Sequence, residues 1–238
     1  MIYKTDGVSE LRKGDIRKAA IIETAESLFY SKGYENTSIQ DVLDALRLSK
    51  GGFYHHFESK LALLDAICEK RVESHAEECR RIIGEAQLKG IGKLNCVLAF
   101  SSYFMDNSSE FISIMLKVAY KEGAVMLRDH MKMASVSLMY SMASEAIQEG
   151  ISENIFYARY SDELGSILLN LSHCLTDEVS MLAVETDDTM QRAEAIKHKT
   201  SAYEYACETM LNAPHGSLNL LGDDALSAIN TSLALLAS

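Results

Sequence analysis

The stretch TSIQDVLDALRLSKGGFYHHF, residues 37–57, contains two short helical patterns separated by a break. Thr37 or Ser38 can cap the first, and Asp41 then lies beside the open N–H groups of its first turn. Ile39, Val42, Leu43 and Leu46 form its inward face at helical spacing. Arg47-Leu48 makes a tight turn, Ser49 is a fresh N-cap, and Lys50 to Phe57 form the second helix. On the N-terminal side a longer helix runs from Asp15, a suitable cap, to Gly33, with Ile21, Ala25, Leu28 and Phe29 as one stripe. On the C-terminal side Ser59 caps a long fourth helix whose apolar face includes Leu61, Leu64, Ile67 and Cys68. Two short helices behind a stabilising one form a helix-turn-helix.

The second short helix is poor by propensity, because each glycine in it costs about 1 kcal/mol against alanine. Gly51 and Gly52 are useful where a backbone must come close to another surface with its N–H groups pointing outward. Lys50, Tyr54, His55, His56 and Lys60 cluster donors around that turn, a combination suited to a major groove about 12 Å wide. Phe53 and Phe57 read as core aromatics facing the first and fourth helices.

The whole chain supports an all-α fold. It has 238 residues, 47% of them hydrophobic, with one proline and 13 glycines, which leaves little punctuation for a many-stranded sheet. The net charge of −11 is unevenly spread: residues 1–60 hold nine basic and nine acidic side chains, and the rest hold 14 and 25. An acidic body with a balanced head is compatible with DNA, because phosphate attraction acts within a Debye length of about 8 Å. Five cysteines without a C-x-x-C pair, no apolar signal segment and no uninterrupted apolar run near 20 residues predict reduced thiols in a cytoplasmic protein with no membrane partner. Residues 1–14, polar and with two glycines, are expected as a mobile arm, residues 15–62 as the head and residues 63–238 as a helical body.

In the body the periodicity predicts helices over 91–106, 109–120, 122–149, 160–185, 189–212 and 218–236. The third is apolar on most of its circumference and is expected in the middle of a bundle. Leu164, Leu168, Leu171, Leu175, Val179 and Leu182 form one seam; Ala193, Ile196, Thr200, Tyr203, Cys207 and Met210 form another. Such seams pack inside one chain or build half of a four-helix dimer bundle. Seven of the eleven methionines fall between Met105 and Met142, among several aromatics, as in an adaptable apolar pocket or an ordinary core. Cys68, His75 and Cys79 share a helix face but lack a fourth ligand, so no metal or cofactor is expected. His173 and Cys174 point apart, and there is no nucleophile elbow, zinc-protease, P-loop or dinucleotide motif, so no catalytic residues are assigned.

The residues Ile21, Ala25, Leu28, Phe29, Gly33, Tyr34, Thr37, Ser38, Ile39 and Val42, continued by Leu48-Ser49-Lys50-Gly51-Gly52-Phe53-Tyr54-His55-His56-Phe57, Lys60, Leu63 and Leu64, resemble the DNA-binding head of TetR-family transcriptional regulators. The resemblance covers residues 15–64 in unbroken order, departing at Gly52, where Thr or Ser is commoner, and at Phe53, where Leu or Ile is.

It implies roles by position. Thr37 and Ser38 would hold phosphate, and Lys50 and Gly51 would face base edges, with Ser49 and Gly52 completing that surface. Tyr54 and His56 would touch the DNA backbone, His55 the backbone or bases, and Lys60 another phosphate. Arg17, with Arg12, Lys13 and Lys18, would meet the backbone or minor groove. The resemblance also implies a homodimer on a palindromic double-stranded operator, paired here through Leu164, Leu168, Leu171, Leu175, Ile196, Tyr203 and Met210. A small-molecule effector would bind at Tyr103, Phe104, Phe111, Met115, Tyr120, Met139 and His173 and relieve repression. The competing readings are an architectural DNA-binding factor without a ligand and an all-helical enzyme.

Overall fold

The computed structural model describes residues 13–106, 108–121 and 124–237. They form ten α-helices and one 3-10 turn, with no strand among the described residues. The arm, with Arg12, lies outside them apart from its last two residues. The chain divides within its fourth helix into two compact units, one ending at Ile67 and the other beginning at Cys68.

The head is built from α1 (Lys13–Lys32), α2 (Ile39–Leu46), α3 (Lys50–Tyr54) and the start of α4 (Lys60–Glu85). Ile21, Ala25, Phe29, Val42, Leu43, Phe53, Leu63, Leu64 and Ile67 are almost completely buried and form its core. α1 stops where Gly33 takes φ +84°, a left-handed conformation that costs glycine nothing. Ser38 caps α2 reciprocally with Asp41, and Arg47 ends it at φ 52°. Two boundaries differ from the sequence reading. α1 begins at Lys13, so Asp15 lies in its first turn rather than capping it. α3 ends at Tyr54; the amides of His56 and Phe57 both turn back to the Phe53 carbonyl, which delivers Phe57 to the core without further helix.

The body contains α5 (Gly90–Phe100), the 3-10 turn at Tyr103–Met105, α6 (Ser109–Val118), α7 (Val125–Ser152), α8 (Ser161–Glu185), α9 (Thr189–Leu211) and α10 (Ala225–Ala237). α7 packs between α5 and α8, α8 also packs on α9, and α10 lies against α6 and the 3-10 turn. α5 and α7 come together at glycines: a Cβ on Gly90 would stand 2.3 Å from the Gly150 nitrogen. Gly90 is therefore a packing residue. α7 is less enclosed than its composition suggests, since Met126, Met133 and Tyr140, seven residues apart, remain exposed.

The expected helix 91–106 breaks early because the Ser101 hydroxyl turns back to the Leu98 carbonyl and Ser102 takes extended geometry to cap the 3-10 turn. The expected helix 218–236 starts only at Ala225. Before it, Leu218, Leu220 and Leu221 are buried in an irregular segment. That backbone is satisfied by side chains: Glu208 accepts from the amides of Ser217 and Leu218, Glu204 accepts from Leu220, and Asn95 bonds both Ser217 and Asn219.

α8 is long and apolar enough to cross a membrane by length and composition alone. It has two apolar faces. Leu164, Leu168, Leu175 and Val179 are buried in the body, whereas Ile167, Met181 and Val184 are 42%, 48% and 49% exposed. Of the expected dimer seam, Leu164, Leu168, Leu175 and Ile196 are thus used inside the subunit, and Leu171, Tyr203 and Met210 are half-buried at its margin.

Candidate nucleic-acid interface and ligand cavity

On α3, Ser49 Oγ accepts the Gly52 amide at 3.2 Å and sets the first turn. Lys50, Gly51, Tyr54 and His55 are exposed, while Gly52 and His56 are half-buried. Tyr54, 52% exposed, braces its ring edge against Phe53, with centroids 5.4 Å apart. A Cβ on Gly51 would meet nothing within 4 Å, and one on Gly52 only ordinary contacts, the nearest Ser49 Oγ at 3.4 Å. Neither glycine has positive φ. The protein interior therefore does not require them. Arg17 is exposed on α1 beside a shallow hollow lined by Ile16, Ala20, Leu46 and Leu48.

Three residues expected at phosphate are occupied within the head. Thr37 is 1% exposed, and its hydroxyl donates to the carbonyls of Gly33 at 2.9 Å and Leu28 at 3.2 Å, tying the α1–α2 corner. Ser38 is exposed, but its amide and hydroxyl both donate to the Asp41 carboxylate, at 2.8 and 2.6 Å. Lys32 pairs with Asp41 at 2.8 Å, and with Ser38 it holds that carboxyl well below the usual range. The N-terminus of α2 already has its anion. Lys60 donates to the Tyr34, Thr37 and Glu35 carbonyls at 2.8, 3.0 and 3.4 Å, with its ammonium 4.3 Å from the Tyr34 ring centre. Only the folded corner shows this bond pattern, which sequence spacing does not reveal.

Lys60→Ala is accordingly expected to lower stability by about 2 kcal/mol, as for lost bonds to a charged donor. It should leave the salt dependence of DNA binding unchanged. Thermal unfolding and salt titration test both halves, and a slope lower by about one would restore a phosphate role.

The body holds a cavity of about 600 Å³ of empty space, counting its open mouth. Tyr103, Phe111, Met115, Tyr120 and His173, the expected effector contacts, are among the residues that line it. Phe104 and Met139 do not: they are 2% and 0% exposed and belong to the core, with the Met139 sulfur accepting the Ser135 hydroxyl. Sequence reading missed the charged wall of Arg71, His75, Arg128, Lys132 and Asp177. Those residue types normally read as solvated surface.

Behind the wall, Asp106 is 7% exposed and accepts both Arg71 bonds at 3.1 and 3.2 Å, with His75 Nε2 at 3.3 Å. Tyr120 donates to Asp177 at 2.9 Å, and the Tyr103 and Ser180 hydroxyls lie 2.5 Å apart. Burial raises both phenol pKa values, so both stay protonated. The helix face of Cys68, His75 and Cys79 disperses onto separate partners: Cys68 faces the Met115 sulfur at 3.7 Å, His75 faces Asp106, and Cys79 faces Cys96 at 3.4 Å.

His173, in the cavity lining, is perturbed in the opposite direction to the two phenols. Burial, reinforced by the Lys132 charge, pushes its pKa down to about 4. The unfolded imidazole takes its proton near pH 6.5, so its contribution to stability is complete above that pH and is lost as pH falls toward 4. The loss should approach about 3 kcal/mol at the bottom of the window. Urea unfolding at stepped pH measures it, and His173→Phe should flatten that part of the curve; an unchanged curve would remove His173 as its source.

A family model described as bacterial regulatory proteins, tetR family, matches residues 21–67. A probable HTH-type transcriptional regulator, ArpR of Pseudomonas putida, is 29% identical over 101 residues, which is 42% of this chain and 48% of that protein. An uncharacterized HTH-type transcriptional regulator of Bacillus subtilis, YerO, is 47% identical over 53 residues, 22% of this chain and 18% of its own. The chain thus spans about half or less of these curated relatives. Among solved structures, a TetR-family transcriptional regulator from Pectobacterium atrosepticum superimposes with a TM-score of 0.60 at 21% identity, over 86% of this chain and all of that one. This likeness shows that the helical fold extends through the body. The head, residues 21–67, thus matches the DNA-binding part of the tetR family of bacterial regulatory proteins, and the body shares the helical fold of a solved TetR-family regulator.

Proposed function

We propose that the chain is a one-component transcriptional regulator, a repressor that leaves a palindromic operator when a small molecule enters the body. The observation that carries this reading is α3. Its outward surface of Lys50, Gly51, Tyr54 and His55 includes a glycine that no internal contact requires. A close external partner accounts for a residue that otherwise only weakens the helix. Lys50 and Gly51 read base edges, Ser49 and Gly52 shape the turn, and Tyr54, His55, His56 and Arg17 meet the backbone.

Two copies pair through the outer face of α8, placing two recognition helices in successive major grooves. Ile167, Leu171, Cys174, Met181 and Val184 present that face, in place of the inner leucines that the seam first suggested. The cavity is the effector site. α4 offers the coupling element, because the helix that begins with Lys60 later contributes Arg71 and His75 to the cavity wall. An effector shifts the balance only through unequal affinity for the two head spacings. The reading is of a binding protein in the cytoplasm, not an enzyme.

Fluorescence anisotropy with DNA from upstream of the gene tests it, at about 150 mM salt with competitor DNA. Saturable nanomolar binding to one palindrome is the expected result. Equal affinity for competitor would refute the operator-binding reading.

A further inference from the structure

The cavity wall carries more donors than its own side chains use. Three cations line it: Arg71, Arg128 and Lys132. Two are committed. Arg71 donates to both oxygens of Asp106 and stands 5.3 Å from the Phe111 ring centre. Arg128 donates to the Ala119 carbonyl and stands 5.1 Å from the Tyr120 ring centre. The acid of the lining, Asp177, accepts from Tyr120. Lys132 is left over, with no ion pair to any described residue. His173 is left over too: its Nε2 is fully buried with no hydrogen-bond partner among the described residues. The two stand on neighbouring helices, α7 and α8, close enough for the ammonium to oppose protonation of the imidazole.

An orphaned buried polar atom costs about 1–3 kcal/mol, and an ammonium in a half-closed site without a counter-ion is a further liability. One kind of ligand relieves both. A water molecule satisfies the imidazole nitrogen but leaves the charge uncompensated, a neutral ligand does the same, and a cation adds repulsion. A carboxylate offers two oxygens, one for the ammonium and one for the Nε2–H of a neutral imidazole. The remaining wall of Val72, Phe100, Phe111, Met115 and Met131 is apolar, with aromatic edges and thioethers suited to a flat ring.

We propose that the cavity binds a compact aromatic monocarboxylate, its carboxylate shared between Lys132 and His173 and its ring lying against Phe100, Phe111 and Met115. This deepens the reading of the cavity as the effector site, and rests on it only for the step from binding to operator release.

Calorimetric titration of the full chain with benzoate, 2-naphthoate and their neutral primary amides tests the proposal. At least one acid should bind, ten-fold or more tighter than its amide. Lys132→Gln should remove that preference without lowering the melting temperature, and His173→Phe should weaken the acid by a similar factor. Amides as tight as acids, acids indifferent to Lys132, or no binding by any of the four would each overturn it. Adding the same acids to the operator complex separates the two readings. An acid that binds but leaves the complex intact upholds the cavity chemistry and refutes release; failure of all four beside intact operator binding refutes only the chemistry.

Discussion

Glutamate at both Ile167 and Met181 is expected to convert the protein into a folded monomer. α8 is apolar on two sides, and these residues belong to the side its own body leaves bare, 42% and 48% exposed. In a two-fold interface each change appears twice, so four carboxylates would enter one patch. Burying unpaired charges costs several kcal/mol, enough to weaken dimerisation by roughly a thousandfold. Operator affinity should fall with it by about a hundredfold or more, since a monomer holds a single half-site. The melting temperature of the subunit should barely move, because surface substitutions usually act within about 0.5 kcal/mol. Leu168→Glu is the contrasting change: Leu168 is 0% exposed, so the charge enters the core and the fold should be lost. Sedimentation velocity decides. A full dimer of the double variant would move the interface to another apolar surface, such as the outward Met133 and Tyr140 of α7.

The inner and outer faces of α8 show why the proposed pairing face was not legible in sequence. A helix apolar on two sides carries two overlapping series at three-to-four spacing, and Leu171 belongs to the shoulder between them. Periodicity identifies both series but not which one meets the chain's own core, because that depends on α7 and α9. The head was far more legible because its signals are local. The Ser38–Asp41 cap, the left-handed Gly33 and the Ser49 cap each act within a few residues and reappear in the structure. In the head, spacing does not show a bond that reaches across the fold. Lys60 lies 26 residues from its Tyr34 partner.

The cavity was half legible for the same reason. Aromatics and Met115 marked its apolar side, since bulky residues at helical spacing must be buried somewhere. Arg71, Lys132 and Asp177 carry no such signal, as each would be ordinary on a solvated face. Their enclosure follows from the meeting of α4, α7 and α8, and from the early end of α5 at Ser101. That break is local, yet Ser101-Ser102 sits inside an apolar series that otherwise reads as continuous helix. The buried loop before α10 misled in the opposite direction: Leu218, Leu220 and Leu221 imitate a helical stripe while side chains satisfy their backbone.

Lys50→Ala with Tyr54→Ala should lower operator affinity by roughly a hundredfold, if each contact is worth about 1–3 kcal/mol. Both side chains are exposed, so the melting temperature should hold to within a degree or two. The two losses differ in kind. In the proposed complex Lys50 faces base edges, so its single variant should also relax sequence preference, whereas Tyr54 alone should weaken all sequences alike. Gly51→Ala gives the sharper test because its two effects have opposite signs. A Cβ there meets nothing within 4 Å inside the protein, so alanine should stabilise the head by up to about 1 kcal/mol. If α3 lies against DNA, the same methyl group occupies space reserved for a base edge or phosphate, and affinity should drop at least ten-fold. Anisotropy and thermal unfolding on one preparation measure both. A variant more stable and equally tight would mean that Gly51 faces solvent in the complex too, and that α3 does not enter the groove by its N-terminal turn.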